Sequence, residues 1–206
     1  MAGGYDFGYE ATRCLWGDDP GRLIRTLSER LGTFVDLDVL DAGCGEGKNS
    51  AFLVQRGANA VAIDISSAAL RNGRQRWGTR SRIRWVHGDA RTDRVLDREY
   101  DVVIAYGLLH CIRGAAGVSR LLRRLQHATR ERGYLALCAF NDRSQDLSGH
   151  PPDFKPTLLP HRWYASRFDT WEIISCTDED IREVHPPLNV PHHHSLTRIL
   201  ARRGSA

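Results

Sequence analysis

The chain has 206 residues, 41% of them hydrophobic, which suits one domain of ordinary size and leaves little room for a separate recognition domain. Its formal charge of +4 is carried almost wholly by arginine, with Lys48 and Lys155 the only lysines; Asp89, Asp93 and Asp97 interrupt the basic stretch from Arg71 to Arg98, so the composition argues against a nucleic-acid partner. No apolar run reaches membrane-spanning length and no leader pattern opens the chain, so a cytoplasmic location is expected; five scattered cysteines without a Cys-x-x-Cys pair exclude a disulfide framework or zinc ribbon.

In chain order, Asp19-Pro20 predicts a helix start, with Leu23, Ile24, Leu27 and Leu31 on one face and Gly32 at the end. A first strand is expected at about Asp38 to Asp41. A glycine loop, Gly43, Gly45 and Gly47, follows it, and the next helix carries Phe52, Leu53 and Val54 as far as Gly57. Strand two, Ala60 to Ile63, is continuously apolar, as in a parallel strand covered on both faces. Ser66 or Ser67 caps a helix reaching Trp77. Strand three is Ile83 to Val86 and strand four Asp101 to Ala105; a helix from Gly117 to Thr129 leads into strand five, Tyr134 to Ala139. This alternation predicts a single α/β domain with an open, doubly wound, mostly parallel sheet. Residues 1–32 read as an N-terminal flap and helix. Residues 141–168 read as a late insertion, either a lid or partly helical. Trp171 to Ser175 and Ser195 to Ala201 read as two further strands with an irregular link.

The glycine loop carries the chemistry. Glycines let backbone approach a ligand where a Cβ would collide, and Asp64, at the tip of strand two, is placed to accept both hydroxyls of a ribose. A dinucleotide fingerprint would need a third glycine where Lys48 or Ser50 stands. Asp41 and Glu46 beside the loop would repel a pyrophosphate, which seeks bare N–H groups. They would welcome a ligand with ammonium and sulfonium charges, and S-adenosylmethionine is such a ligand.

With these residues in hand, the chain resembles the class I S-adenosylmethionine-dependent methyltransferases, and within them the group that includes the tellurite-resistance methyltransferases. The likeness rests on Trp16-Gly17 with Pro20, Gly43 to Asn49, Trp171-Glu172-Ile173, Glu183-Val184-His185, His192 with His194, and Arg198-Ile199-Leu200-Ala201-Arg202. It implies a Rossmann-like seven-stranded sheet of order 3-2-1-4-5-7-6 with strand seven antiparallel. It also implies an S-adenosylmethionine site formed by Trp16, Asp41, Gly43, Cys44, Gly45, Gly47, Asn49, Asp64 and Ile65. Asp89 and Ala90 would lie at the adenine, and the Tyr106 carbonyl at the methionine ammonium.

Ligands of open α/β sheets sit at the carboxyl ends of the strands. That rule selects Cys111, Asn141, Arg143, His185, His194 and Arg198 as acceptor-binding residues, with His110 and His193 as candidate general bases. His192 and His194 share a face if extended, a spacing that can hold zinc or nickel, but no ligand beyond His185 is evident nearby, and no metal is expected. The reading is methyl transfer by in-line displacement to a small acceptor, a thiol or chalcogen, or the N or O of a bacterial secondary metabolite. The alternatives are an RNA or protein acceptor, a non-catalytic cofactor-binding module, or aminopropyl transfer. Tyr106-Gly107-Leu108-Leu109 stands where nucleic-acid amino methyltransferases carry Asn-Pro-Pro-Tyr/Phe. Oligomeric state is not legible.

Overall fold

A computed structural model describes residues 5–78, 82–186 and 188–205. The first four residues of the anticipated N-terminal flap lie outside them. Seven strands form one sheet in the order β3-β2-β1-β4-β5-β7-β6. They are β1 (Asp38–Ala42), β2 (Asn59–Asp64), β3 (Ile83–His87), β4 (Tyr100–Tyr106), β5 (Thr129–Gln145), β6 (Trp171–Glu183) and β7 (His192–Arg203). β1 to β5 run parallel, and β7 pairs antiparallel with both β5 and β6, as the resemblance implies. Six helices accompany the described strands: α1 (Asp6–Ala11), α2 (Arg22–Leu31), α3 (Lys48–Val54), α4 (Ser67–Trp77), α5 (Ala115–His127) and α6 (His161–Ala165).

Period-two alternation along the central strands divides the core into two layers. Leu40, Val103 and Leu137 face α5 and α6, meeting Leu121, Leu125, Tyr164 and Phe168. Val39, Val102, Ile104 and Ala136 face the other way, onto Leu23, Ile24 and Leu27 of α2 and Leu53 of α3. β1 and β4 lie side by side at the centre, where successive crossovers leave in opposite directions. This is the switch point at which an α/β sheet opens a crevice beyond its carboxyl ends.

Several expectations need correction. α2 begins at Arg22, two residues late, because the Gly21 N–H is drawn onto the Asn49 side chain (2.8 Å) and holds the preceding segment extended. α5 runs Ala115–His127, and Thr129 already belongs to β5. β5 continues past Ala139 to Gln145, where the Gln145 amide donates to the carbonyls of Asn141 (2.8 Å) and Ser195 (2.9 Å). β6 and β7 likewise pair from Trp171↔Arg203 to Glu183↔His192, so the irregular link shrinks to a short connection. α1 was not expected. Within the late insertion only α6 is helical, and Leu159 bridges Asn141.

Candidate functional site

After β1 the backbone turns sharply. The N–H groups of Gly43 and Cys44 both donate to the Ile63 carbonyl (2.9 and 3.1 Å), and that of Gly47 donates to the Cys44 carbonyl (2.9 Å). Gly45 has φ +54°, and a Cβ there would stand 2.6 Å from the Tyr9 hydroxyl oxygen, so only glycine fits. Its N–H donates to Asp64 Oδ2 (2.8 Å), while Ser66 N–H donates to Oδ1 (2.8 Å). Burial raises the Asp64 pKa, and the carboxylate keeps lone pairs on the crevice wall. Asp41 plays a different part from the expected one. It is buried off that wall and accepts from the backbone N–H (3.2 Å) and hydroxyl (2.7 Å) of Ser50, anchoring the start of α3; burial lifts its pKa to about 6.

A cover forms from the N-terminal segment. Glu46 accepts from Cys14 N–H (2.8 Å), Leu15 N–H (2.7 Å) and the Asn72 amide (3.1 Å), so a loop carboxylate holds the segment by its backbone. Trp16 donates from Nε1 to the Tyr9 hydroxyl (3.1 Å), and its carbonyl accepts from Lys48 Nζ (2.7 Å). Tyr5 packs edge-on against Trp16 and, tilted, against Phe154 (centroids 5.2 Å in each pair). Segment and insertion therefore meet over the sheet end.

Beneath them lies a cavity of about 350 Å³, within the size range of small-molecule sites. Of the predicted cofactor residues, Trp16, Gly43, Cys44, Gly45, Asn49, Asp64, Ile65 and Tyr106 line it. Gly47 shapes the turn from behind. Asp89 is drawn into a forked ion pair with Arg91, which lowers its pKa, and neither it nor Ala90 reaches the wall.

The far end of the cavity is bounded by Tyr106, His110, Cys138, Phe140, Leu196 and Arg198. Arg198 is nearly buried and paired with Glu179 (2.6 Å), its Nε without a partner. The His110 ring stacks on Phe140 (4.0 Å, 2°), and its Nδ1 accepts the Phe140 N–H (3.1 Å). That bond forces the neutral ring to carry its proton on Nε2, which is buried and unpartnered. Burial drives the pKa down to about 3. His110 is thus a hydrogen-bond donor, and the expectation of a base there is overturned. His193 fails for another reason: it is exposed on the opposite face of β7 from His192 and His194, bonded to the Ser144 hydroxyl (2.8 Å) and away from the cavity.

Two other expected acceptor residues have structural partners instead. Asn141 is buried against Asp178 (2.8 Å), and Arg143 is exposed in ion pairs with Asp178 and Asp180 (2.9 and 2.7 Å). Cys111 lines the cavity mouth. His185 and His194 are buried beside the cavity rather than on its wall. Glu183 on the wall and His150 behind it were not among the expected site residues, while Tyr5 and Tyr9, from the anticipated N-terminal flap, and Glu46 also line the wall. The acidic neighbour of the loop was noticed as charge, but its partners could not be.

Residues 39–133 match a family model described as a methyltransferase domain. An uncharacterized methyltransferase of Mycobacterium tuberculosis is 36% identical over 74 residues, covering 36% of this chain and 37% of that one. The chain spans well under two thirds of the length of that relative. TehB from Haemophilus influenzae superposes with a TM-score of 0.72 at 15% identity, over 89% of this chain and 62% of TehB. A structure concerned with converting a disulfide bond into a thioacetal group during echinomycin biosynthesis also gives 0.72, at 22% identity, over 99% and 93%. At these identities the solved structures fix the fold. Among the described residues no helix is long and apolar enough to cross a membrane. The domain match over residues 39–133 and a sheet order of the kind found in TehB make the chain similar to methyltransferases of the class I fold.

Proposed function

We propose that the chain transfers the methyl group of S-adenosylmethionine to a small, electron-rich acceptor, a thiol or chalcogen anion in the first instance. One observation carries the cofactor choice: the N–H groups of the loop glycines are already spent inside the protein. Gly43, Cys44, Gly45 and Gly47 all donate within the protein, and Asp64 and Glu46 line the cavity with carboxylates. A pyrophosphate at the loop would meet these carboxylates in place of the glycine N–H groups it seeks. A cationic nucleoside meets attraction, and Asp64 offers its free lone pairs to ribose hydroxyls.

When bound, the cofactor supplies a methyl carbon already activated by its sulfonium. The protein's part is then alignment in a dry pocket. Phe140, Leu196 and Cys138 exclude water at the far end, while the His110 Nε2–H and the Arg198 guanidinium present donors to an anionic acceptor. No histidine there can take up a proton at the cavity, which favours an acceptor that arrives ionised over a protonated amine or an alcohol. The echinomycin neighbour's thioacetal chemistry supports the same preference.

The test is transfer of a labelled methyl group to a panel of thiol, selenite, phenol and amine acceptors. Label on the thiol or selenium is expected. Label confined to amines or to added RNA would contradict this reading.

A further inference from the structure

At and behind the cavity wall four histidines and a glutamate converge from β6, β7, the connection between them and the late insertion. His192 and His194 open β7, Glu183 closes β6, His185 lies in the connection between them, and His150 comes from the late insertion. Their tautomers are set by neighbours. His192 Nδ1 faces the Val190 carbonyl (2.7 Å), His185 Nδ1 the Pro186 carbonyl (3.1 Å) and His194 Nδ1 the Gln145 side-chain oxygen (2.8 Å). Both protons of the Gln145 amide are spent on carbonyls, so it is the amide oxygen that faces His194. A carbonyl oxygen only accepts, so each Nδ1 carries a proton, and in the neutral ring each Nε2 is a bare lone pair. Nε2 of His192 and of His185 are buried without any hydrogen-bond partner.

Bare, buried imidazole nitrogens whose opposite nitrogens are held by carbonyls are how proteins prepare metal ligands. The spacing agrees. Glu183 Oε1 lies 3.4 Å from His194 Nε2 and 3.7 Å from His192 Nε2. Ligand atoms about 2.1 Å from one tetrahedral ion stand roughly 3.4 Å apart. His150 Nε2 is 3.0 Å from His194 Nε2, and the ligand atoms of His150, His192 and His194 lie within 4.8 Å of one another. In the metal-free chain His150 Nε2 carries the proton and donates it to the bare His194 Nε2, and the partnerless His150 Nδ1 is free to take that proton when an ion replaces it.

We propose that His150, His192, His194 and Glu183 bind one borderline divalent transition-metal ion of the zinc class, with His185 flanking the site. Nitrogen-rich ligands select zinc, nickel or copper over magnesium or calcium. The ion ties the late insertion to the β6–β7 edge. It lies one ring's thickness from the far end of the cavity, because Phe140 stacks on His194 (4.1 Å) and on His110 (4.0 Å). The site rests on ligand geometry and is independent of the methyl-transfer reading.

The experiment uses the full chain, stripped with a chelator and titrated with Co²⁺ as a spectroscopic probe and with Zn²⁺ by calorimetry, cofactor absent. One equivalent of Co²⁺ with the intense visible absorption of a tetrahedral site is expected, displaced by Zn²⁺. His192→Gln and His194→Gln should each weaken Zn²⁺ binding by about 100-fold or more. His193→Gln, on the exposed face between them, should leave it unchanged. Failure of the wild-type chain to take up either ion overturns the proposal without recourse to a variant. So does octahedral, weakly absorbing Co²⁺, or equal Zn²⁺ affinity in folded His192→Gln.

Discussion

The Asp64 carboxylate accepts the backbone N–H of Gly45 at 2.8 Å, across 19 residues of sequence, so the tip of β2 sets the shape of the loop after β1. Asp64→Asn presents a donor where that N–H or a ribose hydroxyl needs an acceptor. Charge-assisted bonds are worth about 1.5–3 kcal/mol each, so affinity for S-adenosylhomocysteine should fall about 100-fold or more in calorimetry while the chain stays folded. Unchanged affinity would remove Asp64 from the site.

Gly45→Ala should fail at the same place for a steric reason. The residue sits at φ +54° and the new Cβ would press on the Tyr9 hydroxyl. The left-handed conformation alone costs an alanine about 1 kcal/mol, and displaced Tyr9 loosens its bond from Trp16. Lower denaturation midpoint and weakened cofactor binding are expected together.

Glu46→Gln tests the cover. The carboxylate takes donors on both oxygens, so an amide must aim its own N–H at one of them. A loss of about 2–3 kcal/mol is expected, with faster proteolysis between Tyr5 and Trp16. Wild-type protease resistance would show that the segment is held by other means.

His110 makes two linked predictions. Its folded pKa of about 3 lies below the ordinary value of 6.5, so the unfolded chain binds the extra proton between these pH values. Stability from this group is therefore full above pH 6.5 and is lost as pH falls toward 3, by about 1.4 kcal/mol per pH unit. His110→Asn keeps an acceptor for the Phe140 N–H and should remove that increment from the pH dependence of the denaturation midpoint. With a thiol acceptor, the turnover profile should follow ionisation of the thiol; a wild-type profile governed by a group near pH 6.5 would restore a histidine base.

Asp41 acts in the opposite sense. Its pKa is raised from 3.8 to about 6, so the folded chain holds a proton that the unfolded chain has lost between those values. Its contribution to stability falls as pH rises through that window, by about 3 kcal/mol at the full shift. Relative to the wild type, Asp41→Asn should gain stability as pH rises from 4 to 6. A constant difference across that range would mean that Asp41 stays ionised.

The glycine loop, Asp64 and the central strands were legible in the sequence because each is a local demand: positive φ, an apolar run, an acidic tip. Partners far along the chain were not. Glu46 clamps Cys14 and Leu15 from 32 and 31 residues away, and nothing local marks that use of a carboxylate. His150 hides in a proline-rich insertion 44 residues from His194. The polar stretch Asn141 to Gln145 read as the start of the insertion, a lid or partly helical, because it has no apolar alternation; side-chain bonds to β7 and to its own backbone hold it in β5. His193 was legible in principle: with His192 and His194 turned inward, the period of two sends it outward.

The central claim is that a cationic sulfur nucleoside, held by Asp64, fills the cavity at the end of β1 and β2. Calorimetric titration of the wild-type chain with S-adenosylhomocysteine, in parallel with a nicotinamide dinucleotide, tests it most directly. One equivalent of S-adenosylhomocysteine with no heat from the dinucleotide is predicted; saturable dinucleotide binding with no response to S-adenosylhomocysteine would contradict the account.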